Sequence, residues 1–162
     1  MFNLKGIFGK KSKDKDLEKY IKKNLIRTKG KTNSHKAKTF VPENITNKIG
    51  LSFSQTLLDM IDKKGMTDVE CYKSANIDRK LFSKIRCNND YKPSKETVLA
   101  LAIGLKLSKD ETNELLLSAG YILSPSILSD IIVLYFIENK LYDINNVNIA
   151  LYEHGQKVLG AQ

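Results

Sequence analysis

From Ser54 onward the chain reads as a run of short stretches at helical spacing, most of them opened by a capping residue and several closed by glycine. Leu57, Leu58 and Ile61 set an apolar stripe on a helix over Ser54–Lys64, which Gly65 ends. Thr67 and Glu70 have the spacing of a capping box, so a second helix is predicted from Asp68, with Val69, Cys71 and Tyr72 on its apolar side. Asp78 caps a third helix, Arg79 to about Arg86. Pro93-Ser94 opens a fourth, through about Leu105, that buries Val98, Leu99, Leu101, Ala102 and Leu105. Ser108 and Glu111 form another capping box, and Leu115-Leu116-Leu117 carry that helix into the core as far as Gly120. Ser124-Pro125 reads as a cap with proline at the first helical position, starting a helix to Asn139 whose centre, IIVLYFI, is apolar nearly all round. Asp143 starts a last helix that stops at Gly155. No segment alternates as an amphipathic strand does, so the fold class is all-α.

Within this run, Met66 to Ser94 carries the most specific pattern. Ala75 is small, as close helix–helix contact requires, and Asn76 stands where a left-handed residue is needed. Ile77 plugs the turn into the core, and Leu81, Phe82 and Ile85 point inward from the helix that follows. Arg79, Lys80, Ser83, Lys84 and Arg86 are left outward or on its flanks. Two short helices joined by a tight turn, the second apolar on one wall and basic and hydroxylated on the other, spell a helix-turn-helix with a base-reading helix.

Composition and charge sharpen this picture. The 162 residues suit one ordinary domain with an appendage, and a hydrophobic content of 41% is enough for a core. There is no apolar run long enough for a transmembrane helix and no secretory signal pattern at MFNLKGIFGKK, so a cytoplasmic location is expected and a membrane partner is not. Cys71 and Cys87 form no CxxC pair and read as reduced thiols. The net charge of +9 is unevenly spread: residues 1–50 hold 14 Lys and Arg against 4 Asp and Glu, and the remainder is close to neutral. Inside that neutral part, Lys73 to Lys95 gathers seven basic residues against Asp78 and Asp90. One basic face on a neutral body is the footprint of a nucleic-acid contact.

Residues 1–50 are expected to be a partly disordered basic arm and linker, holding a short amphipathic helix from about Asp14 to Ile26 and little periodicity over residues 27–48. Such an arm either is a solvated tail or adds non-specific affinity for phosphate. Attachment of residues 1–26 to a membrane surface is a weaker third reading, kept open by Phe2, Leu4, Ile7 and Phe8 among lysines.

Ser54 to about Gly120 resembles the Cro/phage-repressor-like (XRE) helix-turn-helix family. The resemblance rests on Met66-Thr67, Glu70, Ala75, Ile77, Arg79, Ser83, Ile85, Pro93-Ser94, Thr97 and the run Leu101-Ala102-Ile103-Gly104-Leu105. The wording SFSQTLLDMIDKKGMTDVE is similar to a little-characterised bacterial subgroup of these domains. The resemblance implies a five-helix Cro/repressor-like bundle over residues 51–121; the two extra C-terminal helices read from the pattern over residues 122–162 follow it, and the basic N-terminal arm precedes it. It also implies a sequence-specific transcriptional regulator of bacteria or phage that binds double-stranded DNA, commonly as a dimer. The chain departs from the family at Asp68, where Gln is usual, at Tyr72 for Ala, at Asn76 for Gly and at Asp78 for Ser or Thr.

Arg79, Lys80, Ser83 and Lys84 are the candidate base contacts; Lys73, Arg86, Lys92 and Lys95 are candidate phosphate anchors. Thr67 serves as a helix cap and, in addition, as a candidate DNA contact. Residues 124–159 either pair two copies or pack internally, through Val147, Leu151 and Leu159. Catalysis is not expected: the two histidines, His35 and His154, stand apart, and there is no phosphate loop or metal-spaced cluster, so no cofactor or metal is called for. The alternative to a DNA regulator is an adaptor in a defence, counter-defence or stress system, its helix-turn-helix turned to a protein partner, with Asp68 marking a lost DNA contact.

Overall fold

The computed structural model describes residues 11–26 and 50–160, and among them the chain is helical throughout, with no strand. The elements are α1 (Lys11–Ile26), α2 (Phe53–Lys64), α3 (Asp68–Ser74), α4 (Arg79–Cys87), α5 (Lys95–Gly104), α6 (Lys109–Ser118), α7 (Leu128–Glu138) and α8 (Ile144–Glu153). Residues 1–10 and the linker expected over residues 27–48 lie outside the described residues.

Local capping chemistry sets most boundaries. Thr67 with Glu70 and Ser108 with Glu111 form both halves of their boxes, and Asp78 accepts from the Lys80 N–H at 2.7 Å. A third box, Ser52 with Gln55, starts α2 one residue earlier than the apolar stripe suggests. Gly65 closes α2 in the left-handed conformation, at φ 63°. Asn76 adopts the left-handed turn expected of it, at φ 51°. The Ser124-Pro125 start is a correction. The Ser124 hydroxyl accepts from the Ser126 N–H, the Ser124 carbonyl accepts from the Ile127 N–H, and α7 begins only at Leu128. Ser124 thus folds a local turn, and its own N–H is taken by Asp130 at 2.7 Å.

α5 is the buried axis of the body, with every residue from Thr97 to Gly104 inside. It packs on α3, α6 and α8. Its crossing with α3 needs Gly104: a methyl there would stand 2.8 Å from the Ala75 nitrogen and 2.9 Å from the Ala75 Cβ. Leu57, Ile85, Leu101, Leu116, Ile132 and Leu151 are fully enclosed around this axis, each side chain adding about 1.5–3 kcal/mol of burial.

The apolar α7 is used up inside the chain. Ile131, Ile132, Val133, Tyr135, Phe136 and Ile137 are all buried, against α1, α6 and α8. The α1 helix takes part in this packing. Leu17 and Ile21 are buried on the α7 side. The Tyr20 ring meets Tyr135 edge-on at 5.3 Å, and its hydroxyl donates to Glu138 at 2.6 Å. At the far end of the chain, Asn148 makes two hydrogen bonds to the backbone of buried Leu159. Gly160 then lies against the backbone of Ala75 and Asn76, where a side chain would collide, so the C-terminal tail seals the turn between α3 and α4.

Candidate nucleic-acid interface

The short helix α4 is fixed on three sides. Phe82 and Ile85 are buried and Leu81 is half-buried, so one wall is anchored in the core. Tyr72 of α3 packs on Phe82 with ring centroids 5.7 Å apart, which gives the large residue at this position a structural use. The Ile77 N–H donates to the Tyr72 carbonyl at 2.8 Å, closing the connection. At the other end, the Ser54 hydroxyl of α2 donates to the Asn88 carbonyl at 3.0 Å. An ion pair between Arg86 and Asp68 ties the end of α4 to the start of α3.

What remains free is the outer face. Arg79, Lys80, Ser83, Lys84 and Cys87 are exposed, and at helical pitch they span an arc of about 140°. Among the described residues, no carboxylate pairs with Arg79, Lys80 or Lys84, or with nearby exposed Lys73 and Lys92. Cys87 belongs to this face by its spacing of four from Ser83, a signal that charge counting passes over.

The remaining candidates are engaged elsewhere. Lys95 is in an ion pair: its ammonium lies 2.6 Å from Asp130, whose side chain is only 2% exposed. That pair staples the start of α5 to α7. Arg86 is likewise paired, with Asp68. Thr67 is exposed, yet its hydroxyl donates to Glu70 at 2.8 Å and accepts from the Glu70 N–H at 3.2 Å, so it works as a cap. The Thr67 backbone N–H, followed by its hydroxyl, holds the Glu70 carboxyl below the usual carboxylate range. Burial pushes the Cys71 thiol up to about 12, with the Asp68 charge adding to it, so this cysteine is a core side chain.

Among the described residues no group of His, Cys, Asp or Glu is placed to hold a metal ion, and no helix is long and apolar enough to cross a membrane. Compared with protein-family models, with curated proteins and with solved structures, the chain gives no match.

Proposed function

We propose that this chain is a Cro-like helix-turn-helix protein that binds specific DNA sequences and regulates transcription, with α3 and α4 as the motif and α4 laid in the major groove. The observation that carries this reading is the unpaired basic face of α4: Arg79, Lys80, Ser83 and Lys84 are exposed on a helix whose other wall is locked into the core. The placement of the charge adds weight. Arg79 and Lys80 occupy the first turn of α4, the positive end of the helix dipole, where a cation costs about 0.3–1 kcal/mol. A phosphate or a base acceptor near that end would offset the cost. Arg79 and Lys84 reach base edges in this reading, and Lys73 and Lys92 hold the backbone.

Replacing Arg79 or Lys84 by Ala then weakens binding to the preferred duplex by about 1–3 kcal/mol and relaxes sequence preference. Lys92→Ala weakens binding to all duplexes alike and lowers the salt slope. Unchanged affinity in both α4 variants, measured by fluorescence anisotropy, would overturn the assignment.

One observation favours a second reading, in which the motif is an adaptor for a protein partner. The start of α3, which in a DNA reader would face phosphate, carries Asp68 and Glu70, and Glu70 already occupies the Thr67 donors. Absence of binding to any duplex at low salt would decide for the adaptor.

A further inference from the structure

The turn between α3 and α4 is gripped from two sides, and one grip comes from outside the motif. On the inner side, Gly104 of α5 leaves no room for a Cβ against the Ala75 nitrogen and Cβ. On the outer side, a Cβ on Gly160 would stand 2.4 Å from the Ala75 oxygen and 2.9 Å from the Asn76 oxygen, so only a hydrogen fits there. Gly160 is also at φ 75°, in the left-handed region. Between the two glycines lies Asn76, whose own left-handed backbone, at φ 51°, turns α3 into α4.

The stretch after α8 brings Gly160 to the turn. Its anchor is Leu159, which is 2% exposed. Among the described residues, no backbone–backbone hydrogen bond reaches residues 157–160. The Asn148 side chain of α8 serves both Leu159 backbone groups instead: its amide donates to the Leu159 carbonyl at 3.0 Å, and its oxygen accepts from the Leu159 N–H at 2.8 Å. The other tie, Lys157 with Glu96 at 3.7 Å, is an exposed ion pair and adds little. One buried side chain and one side-chain amide hold this stretch, far less than holds α5 or α7, so its opening leaves the body folded.

We propose that residues 156–160 form a latch on the α3–α4 turn, and that Asn148 is the positioning residue that closes it. Closed, the latch fixes the turn and with it the angle at which α4 stands out from the body. Open, it leaves the turn gripped by Gly104 alone, and α4 gains freedom relative to α3. Presentation of α4 is thereby tied to α8, a helix outside the motif. The latch stands without the DNA reading; its effect on sequence preference rests on that reading.

Amide exchange followed by NMR on the full chain, with no DNA present, reads the latch in Asn148→Ala and in Gly160→Ala. Alanine favours α8 itself, and Gly160→Ala leaves Asn148 in place, so the two variants open the latch by different routes. In both, the amides of Asn76, Ile77 and Leu159 are expected to exchange at least about tenfold faster, while amides inside α5 and α7 keep their rates. Turn amides that keep the wild-type rate in both variants overturn the proposal. So do turn amides that quicken only in step with α5 and α7, the mark of general destabilisation. On duplexes, both variants should lower the ratio of affinity for the selected motif over a scrambled duplex, at unchanged affinity for the scrambled one. A loosened turn with an unchanged ratio overturns the link to α4. A wild-type chain that prefers no duplex defeats the DNA reading alone, since the exchange rates decide the latch.

Discussion

Replacing Lys95 by Met tests whether this lysine is a staple or a DNA anchor. The substitution keeps the length of the aliphatic stem and removes the ammonium. What it leaves is a carboxylate that is 2% exposed, with the Ser124 N–H as its remaining hydrogen-bond donor among the described residues. Removing one member of a buried pair typically costs about 3–5 kcal/mol. Lys95 is itself 22% exposed, and Ser124 keeps part of the compensation, so a loss of about 2–3 kcal/mol is expected. For a chain of this size that corresponds to a fall in Tm of about 5–10 °C. Urea unfolding followed by circular dichroism measures the loss directly. Adding Asp130→Asn in the Lys95→Met background removes the stranded charge, keeps an acceptor for Ser124, and recovers about half of the stability. A loss under about 1 kcal/mol, the value of an ordinary surface pair, would refute the reasoning. So would a double variant no more stable than the single one.

Three further outcomes are expected. The Thr112 hydroxyl is buried with no hydrogen-bond partner among the described residues, so Thr112→Val should be neutral or stabilising by up to about 1 kcal/mol in the same unfolding assay, and a loss beyond that would reveal a partner for the hydroxyl. His154 joins α8 to α1: burial works against its charged form, but hydrogen bonds to the Ala150 carbonyl and to Glu18 outweigh this and raise its pKa above 6.5. A raised folded value stabilises below the unfolded pKa, so this contribution is complete in mild acid and fades as pH rises through the folded value; α1 amides should then exchange faster, relative to free-peptide rates, at pH 8 than at pH 6, and His154→Gln should abolish the difference. Finally, N-ethylmaleimide should label exposed Cys87 and spare buried Cys71 in the folded chain, and the adduct on the outer face of α4 should block DNA binding in a gel-shift assay.

How much of this was legible in the chain depends on the range of each interaction. Thr67 with Glu70, Ser108 with Glu111, Asp78, Gly65 and Asn76 act within a few residues, and their roles follow from identity and spacing. The Ser124-Pro125 start failed because Asp130, on the helix itself, takes the Ser124 N–H and the hydroxyl turns to Ser126. The basic residues were legible as a cluster, but their partners were not. Asp68 with Arg86 and Asp130 with Lys95 meet only in the folded chain, so a charge count assigns both cations to phosphate. The docking of α1 was hidden for the same reason. Leu17, Tyr20 and Ile21 announce an amphipathic helix, but nothing in their spacing names α7 as its partner. The exposed face of α4 is the converse case: its apolar wall is read from Leu81, Phe82 and Ile85, and the opposite wall follows by helical geometry.

The central claim is that α4 reads DNA sequence, and selection from random duplexes with the full-length chain tests it most directly. The account predicts enrichment of one motif, its halves symmetric if two copies pair, and loss of that enrichment in Arg79→Ala/Lys84→Ala at unchanged stability. Salt-sensitive binding without enrichment, or the same motif recovered by the double variant, would contradict it.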